Sequence, residues 1–128
     1  MIEEYDDDYD KVTRLMINFK FRPNSQGFDY VRSAVLYTLE SDEKACITTK
    51  LYPYLAKKFN TKQPCVERSI RRSIDRAFKA GGLLSINDYY GGVVYTNNIK
   101  FSNSEMISIL AEIIRLDNLK RRMCEIVL

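Results

Sequence analysis

Apolar residues in this chain recur mostly at steps of three and four, the spacing that places side chains on one face of an α-helix. Phe28, Val31, Val35 and Leu39 share one such face and predict a helix over 28–40, broken by Ser41-Asp42-Glu43. Pro53 suits the first turn of a short helix running to about Phe59, with Leu55, Ala56 and Phe59 turned inward. Asn60-Thr61-Lys62-Gln63 is a short polar break, and Pro64 opens a longer helix that Ala80-Gly81-Gly82 stops at about Lys79. A further short helix is predicted around 85–90. Ser102-Asn103-Ser104-Glu105 is an S-x-x-E capping box opening a last helix, whose stripe is Met106, Ile109, Leu110, Ile113 and Leu116, continuing through Leu119, Met123 and Ile126. Three stretches read differently. Residues 1–11 are acidic and read as a loosely held tail. Leu15, Ile17, Phe19 and Phe21 alternate with Met16, Asn18 and Lys20, which predicts a short strand with one strongly apolar face. Gly91-Gly92 leads into Val93-Val94-Tyr95, a short extended segment, and 44–52 is ambiguous between a turn and a short helix.

The segment 53–79 therefore reads as helix, four-residue turn, longer helix. On a wheel of about 100° per residue, Val66, Ile70, Ile74 and Ala77 line one side of the second helix, with Phe78 at its edge. Arg68, Arg72, Asp75 and Lys79 point the other way, flanked by Arg71 and Glu67. One side packs and the other is a cationic ridge about one helix wide, which fits the major groove of B-form DNA.

Charge sharpens this picture. The 128 residues carry 20 bases and 17 acids, for a net charge of +3. Six of the acids lie in residues 1–10, leaving 20 bases against 11 acids in the remainder. Residues 50–79 alone hold nine bases against Glu67 and Asp75, a local field suited to a polyanion. There is no histidine, which excludes every Ser-His, Cys-His and His-metal arrangement and points away from an enzyme. Cys46, Cys65 and Cys124 include no CxxC pair, so no zinc site and no other cofactor is expected; they read as free thiols, two of them buried. No apolar run is long enough for a membrane span, and no secretory signal opens the chain, so a cytoplasmic location is expected.

The ridge has the chemistry of base reading. Arginine can donate two parallel hydrogen bonds to guanine O6 and N7, and glutamate can accept from the cytosine amino group. Glu67 beside phosphates is costly unless it faces a base edge or a neighbouring arginine holds it; its other role is a favourable interaction with the helix dipole. Lys62, Arg71, Arg72 and Lys79 suit phosphate contacts, which position a protein without reading sequence. Gln63, at the start of the helix, completes the candidate set.

The same residues carry a family resemblance. Lys50-Leu51-Tyr52-Pro53-Tyr54-Leu55-Ala56-Lys57-Lys58-Phe59-Asn60-Thr61, followed by Val66-Glu67-Arg68-Ser69-Ile70-Arg71-Arg72-Ser73-Ile74-Asp75, resembles the C-terminal effector domain of the sporulation initiation response regulator, the stage 0 sporulation protein A family. That family reads L-Y-P-x-I-A-K-K-[FY]-N-T and then R-V-E-R-A-I-R-H-A-I-E. Ser102-Asn103-Ser104-Glu105-Met106-Ile107 resembles its T-N-S-E-F-I, and Arg115-Leu116 the end of its last helix. The resemblance spans about residues 27–117. It implies an all-α fold of about six helices built around a helix-turn-helix. It also implies binding to a short asymmetric box of double-stranded DNA, often as tandem copies. The family's base-reading glutamate and arginine fall on Glu67 and Arg68, and its following arginine on Arg71. The last helix, from Ser102, corresponds to the family's surface for RNA polymerase sigma factor and for a neighbouring copy.

The departures are Cys65 where the family has arginine, Pro64 where it has serine, and Arg72 at its histidine position. Only 26 residues precede the resemblance, so no phosphoacceptor receiver is expected and control by aspartate phosphorylation within the chain is not. The organisation expected is an acidic and strand-like extension over 1–26, the DNA-binding domain over 27–117, and a helical extension over 118–128. Both extensions have an apolar face, suited to covering the core or to forming a homodimer. A competing reading is a protein-interaction module that keeps the fold and binds a full-length regulator or RNA polymerase without reading DNA.

Overall fold

The computed structural model describes residues 7–41 and 47–127. Six α-helices account for most of them: α1 (Asp7–Asn18), α2 (Gln26–Glu40), α3 (Tyr52–Lys58), α4 (Gln63–Lys79), α5 (Ile86–Tyr90) and α6 (Asn103–Val127). A π-helical turn, Ile47–Leu51, leads into α3, and a 3-10 turn, Gly82–Ser85, leads into α5. No strand occurs among the described residues, and the class is all-α. No helix among them is long and apolar enough to cross a membrane.

The strand expected over 15–21 is instead the end of α1 and the turn after it. Val12, Leu15, Met16 and Phe19 are buried at spacings of three, one and three, a helical set, whereas Ile17 is 48% exposed. Alternation arose because Phe21 also points inward, by another route. Lys20 takes the left-handed conformation (φ 66°), and the Phe21 N–H donates to Met16 O at 3.0 Å while Lys20 N–H donates to Ile17 O at 2.9 Å. This Schellman turn closes the helix and folds Phe21 back beneath it. The expectation of a loose tail is corrected over 7–11 too. Asp7, Asp8 and Asp10 sit in the first turn of α1, where the helix dipole favours them. Lys11 bridges Asp7 and Asp117, each at 3.3 Å, and donates to Asn118. Residues 1–6 and Cys46 lie outside the described residues.

The core lies where α2 and α6 cross the other helices. Phe28, Tyr30, Val31 and Val35 of α2 meet Ile70 and Ile74 of α4 and Met106, Ile107 and Leu110 of α6, with α1 closing one side. Ser25 caps α2, its hydroxyl accepting from the Phe28 N–H at 3.2 Å. Gly27 allows α2 to touch α4: a Cβ there would lie 2.7 Å from Ser69 O and closer still to the Ser73 hydroxyl. The expected extended segment 93–95 is held by a side chain instead of a sheet partner. Asn87 Oδ1 accepts from the N–H groups of Val94 and Tyr95 at 2.9 and 3.0 Å, and Asn87 Nδ2 donates to Tyr95 O at 2.9 Å. Cys65 and Cys124 are free and both exposed, so the expectation of two buried thiols fails.

Candidate nucleic-acid interface

Two local features set the angle between α3 and α4. Pro53 lies in the first turn of α3, and Leu55 anchors that helix in the core. At its end Asn60 is left-handed (φ 53°) and Thr61 N–H donates to Ala56 O at 2.9 Å, a second Schellman turn. The chain passes through extended Lys62 and re-enters helix at Gln63, with Pro64 in the first turn. Phe59 stacks edge-on against Tyr30 at 4.9 Å, and Lys58 donates to Ser33 Oγ at 3.2 Å, so α3 is fastened to α2.

Helix α4 has the two faces that its sequence predicts. Val66, Ile70, Ile74 and Ala77 are buried, and Phe78 packs at the edge. Lys62, Gln63, Arg68, Arg71, Arg72 and Lys79 are all exposed, and Glu67 is half-buried. Arg68 and Arg72, with Arg76, which sequence reasoning missed, have no hydrogen-bond or ion-pair partner among the described residues. Nothing described covers this crest. The candidates divide into two groups along it. Lys62, Gln63, Glu67, Arg68, Arg71 and Arg72 cluster on the first three turns, whereas Lys79 stands about 16 Å along the axis from Arg68, at a rise of about 1.5 Å per residue.

Two acids temper the crest. Arg71 Nη2 donates to Glu67 Oε1 at 2.7 Å, so Glu67 is held by a neighbouring arginine. Asp75 lies between Lys100, at 3.0 Å, and Lys79, at 3.2 Å. Hydrogen bonding from Lys100 first, and then from Lys79, lowers the Asp75 carboxyl below its ordinary range. Lys100 is 25 residues away in sequence, on the loop before α6, and only the tertiary fold reveals its place at this face.

The start of α6 abuts the same region. The predicted capping box is present in full: Ser102 N–H donates to Glu105 Oε1 at 2.8 Å, and Glu105 N–H donates to Ser102 Oγ at 3.2 Å. Asn103 Nδ2 then donates to the Tyr52 hydroxyl and to the backbone oxygen of Glu67, each at 3.1 Å. Neither Tyr52 nor Asn103 stands out as a site residue from sequence, although both lie in the two motifs that carry the family resemblance. At the other end of α6, Leu119 and Met123 are 51% and 57% exposed.

A short helix fixed in the core, a tight turn and a longer helix with an uncovered cationic face define a helix-turn-helix domain. The family model described as sporulation initiation factor Spo0A C terminal matches residues 12–114, beginning inside α1. The chain belongs to that family, the DNA-binding effector part of a response regulator that acts in transcription at the start of sporulation. It is a family of DNA-binding domains and not of enzymes.

Proposed function

We propose that this chain is a cytoplasmic, sequence-specific regulator of transcription that inserts α4 into the major groove of duplex DNA. The observation that carries the reading is the exposed face of α4, where Arg68 and Arg72 project without a partner among the described residues beside the Glu67–Arg71 pair. In this reading Arg68 donates to a guanine edge and Glu67 accepts from a cytosine amino group. Lys62, Gln63, Arg71, Arg72 and Lys79 contact the phosphate backbone. Because nothing among the described residues covers the crest, binding in this reading needs no phosphoryl-transfer step. Helix α6 faces RNA polymerase sigma factor or a neighbouring copy on DNA, a reading supported by the exposure of Leu119 and Met123.

In-vitro selection from a random duplex pool tests the proposal. The expected result is one enriched box, bound roughly a thousandfold or more above scrambled duplex at the same salt. Treatment with a phosphoryl donor is expected to leave the affinity unchanged. Equal affinity for every duplex would refute base reading. Absence of DNA binding at low salt, with a retained protein partner, would favour an interaction module that has kept only the fold.

A further inference from the structure

Asn103 occupies an unusual junction. It is the first residue of α6, and the capping box at Ser102 and Glu105 fixes its backbone. Its amide nitrogen carries two hydrogens, and each is used: one reaches the Tyr52 hydroxyl at the start of α3, the other the Glu67 carbonyl in the second turn of α4. The orientation of the amide is set by chemistry, because a carbonyl oxygen can only accept. One side chain therefore joins α3, α4 and α6, and it does so at the backbone of the residue whose carboxylate pairs with Arg71.

We propose that Asn103 is a positioning residue for base discrimination, through which α6 sets the placement of Glu67 on the DNA; this rests on the base-reading role proposed for Glu67. Long arginine and lysine side chains reach phosphates from a range of helix positions. A glutamate has a short reach and must meet a base edge within about 0.5 Å of its productive geometry. A small roll or slide of the first turns of α4 against α6 thus changes base reading while leaving phosphate contacts in place. The bond from Asn103 to the Glu67 carbonyl opposes that displacement directly. The same bond makes the position of α6, whose Met106, Ile107 and Leu110 are buried in the core, felt at the reading end of α4.

The decisive variant is Asn103→Asp. It keeps size and places a carboxylate in the first turn of α6, where the helix dipole favours it, so α6 stays capped. It cannot donate, and it sets a negative oxygen against the Glu67 carbonyl. On the selected box and on boxes altered at each position, the full chain carrying Asn103→Asp is expected to lose about tenfold in discrimination at the base pair read by Glu67. Its affinity for random duplex should stay within about twofold, and its salt slope should remain that of the parent, because the phosphate contacts persist. Tyr52→Phe, which leaves the Glu67 bond intact, should lose less. Glu67→Ala serves as the reference and should abolish discrimination at the same pair. Undiminished discrimination in Asn103→Asp, alongside a loss in Glu67→Ala, would overturn the positioning role alone. An equal loss at all positions in Asn103→Asp would overturn it as well, since that is the mark of a general structural defect. No loss in Glu67→Ala would overturn the inference together with the base-reading role beneath it.

Discussion

Asp75 stands in the second half of the otherwise cationic crest of α4, where its carboxylate would compete with DNA phosphate for two lysines and so weaken, without excluding, their phosphate contacts. The carboxylate holds Lys100 and Lys79 at 3.0 and 3.2 Å. Its pKa is lowered, so the pairing is complete above the unfolded-chain value and is lost only as pH falls through the lower folded value. Near neutral pH the restraint is constant. Asp75→Asn should free both lysines, raise affinity for random duplex and steepen the salt dependence by about 0.9 for each further phosphate neutralised. Titrations at several salt concentrations check this, and an unchanged slope would show that neither lysine lies near a phosphate. Cys65 offers a second test at this scale. It is exposed in the first turn of α4, and exposed Cys124 near the end of α6 is an internal control. Selected DNA should slow alkylation of Cys65 severalfold and leave Cys124 unaffected, as read by mass spectrometry of the modified peptides. Equal rates at both thiols would place the DNA elsewhere.

Among the elements, α2, α3 and α4 were legible because each shows one dominant apolar period and clear punctuation. Pro53 and Pro64 mark two starts, and Gly81, left-handed at φ 76°, marks an end. The capping box opened α6 where its residues predicted. Helix α1 is not legible in the same way, because Leu15 and Phe19 belong to both periods. What separates the two is the reversal at Lys20, a residue with no strong preference for the left-handed conformation. The candidate site was legible in the part that α4 supplies by itself. The contributions of Lys100 and Asn103 depend on contacts across 25 and 36 residues, for which local sequence carries no signal. The seating of α4 also rests on one small residue. Gly27→Ala would drive a methyl group against Ser69 O, which is helix backbone, and against the Ser73 hydroxyl. The expected cost is about 1–3 kcal/mol, measured by denaturant unfolding, with a fall in specific DNA affinity as α4 is pushed outward. A neutral result would mean that α2 and α4 separate freely.

At the scale of the whole molecule, charge and topology converge on one face. Residues 50–79 hold nine bases against two acids, and α3 and α4 are both in that segment. Leu55 of α3 and Val66, Ile70, Ile74 and Ala77 of α4 join α1, α2 and α6 in the hydrophobic core, so the helices that carry the cationic crest are anchored from behind. On this crest Arg68 is the residue proposed to read a base edge. The most direct test is a double-mutant cycle between Arg68→Ala and a selected duplex in which single guanines are replaced by 7-deazaguanine, which lacks the N7 acceptor. At one guanine the parent chain is expected to lose about tenfold in affinity, within the range for a bidentate base contact. Arg68→Ala, already weakened, should lose nothing further at that guanine and should match the parent chain's response at every other. A loss of the same size in both proteins at every guanine would contradict the account, because Arg68 would then be reading none of them.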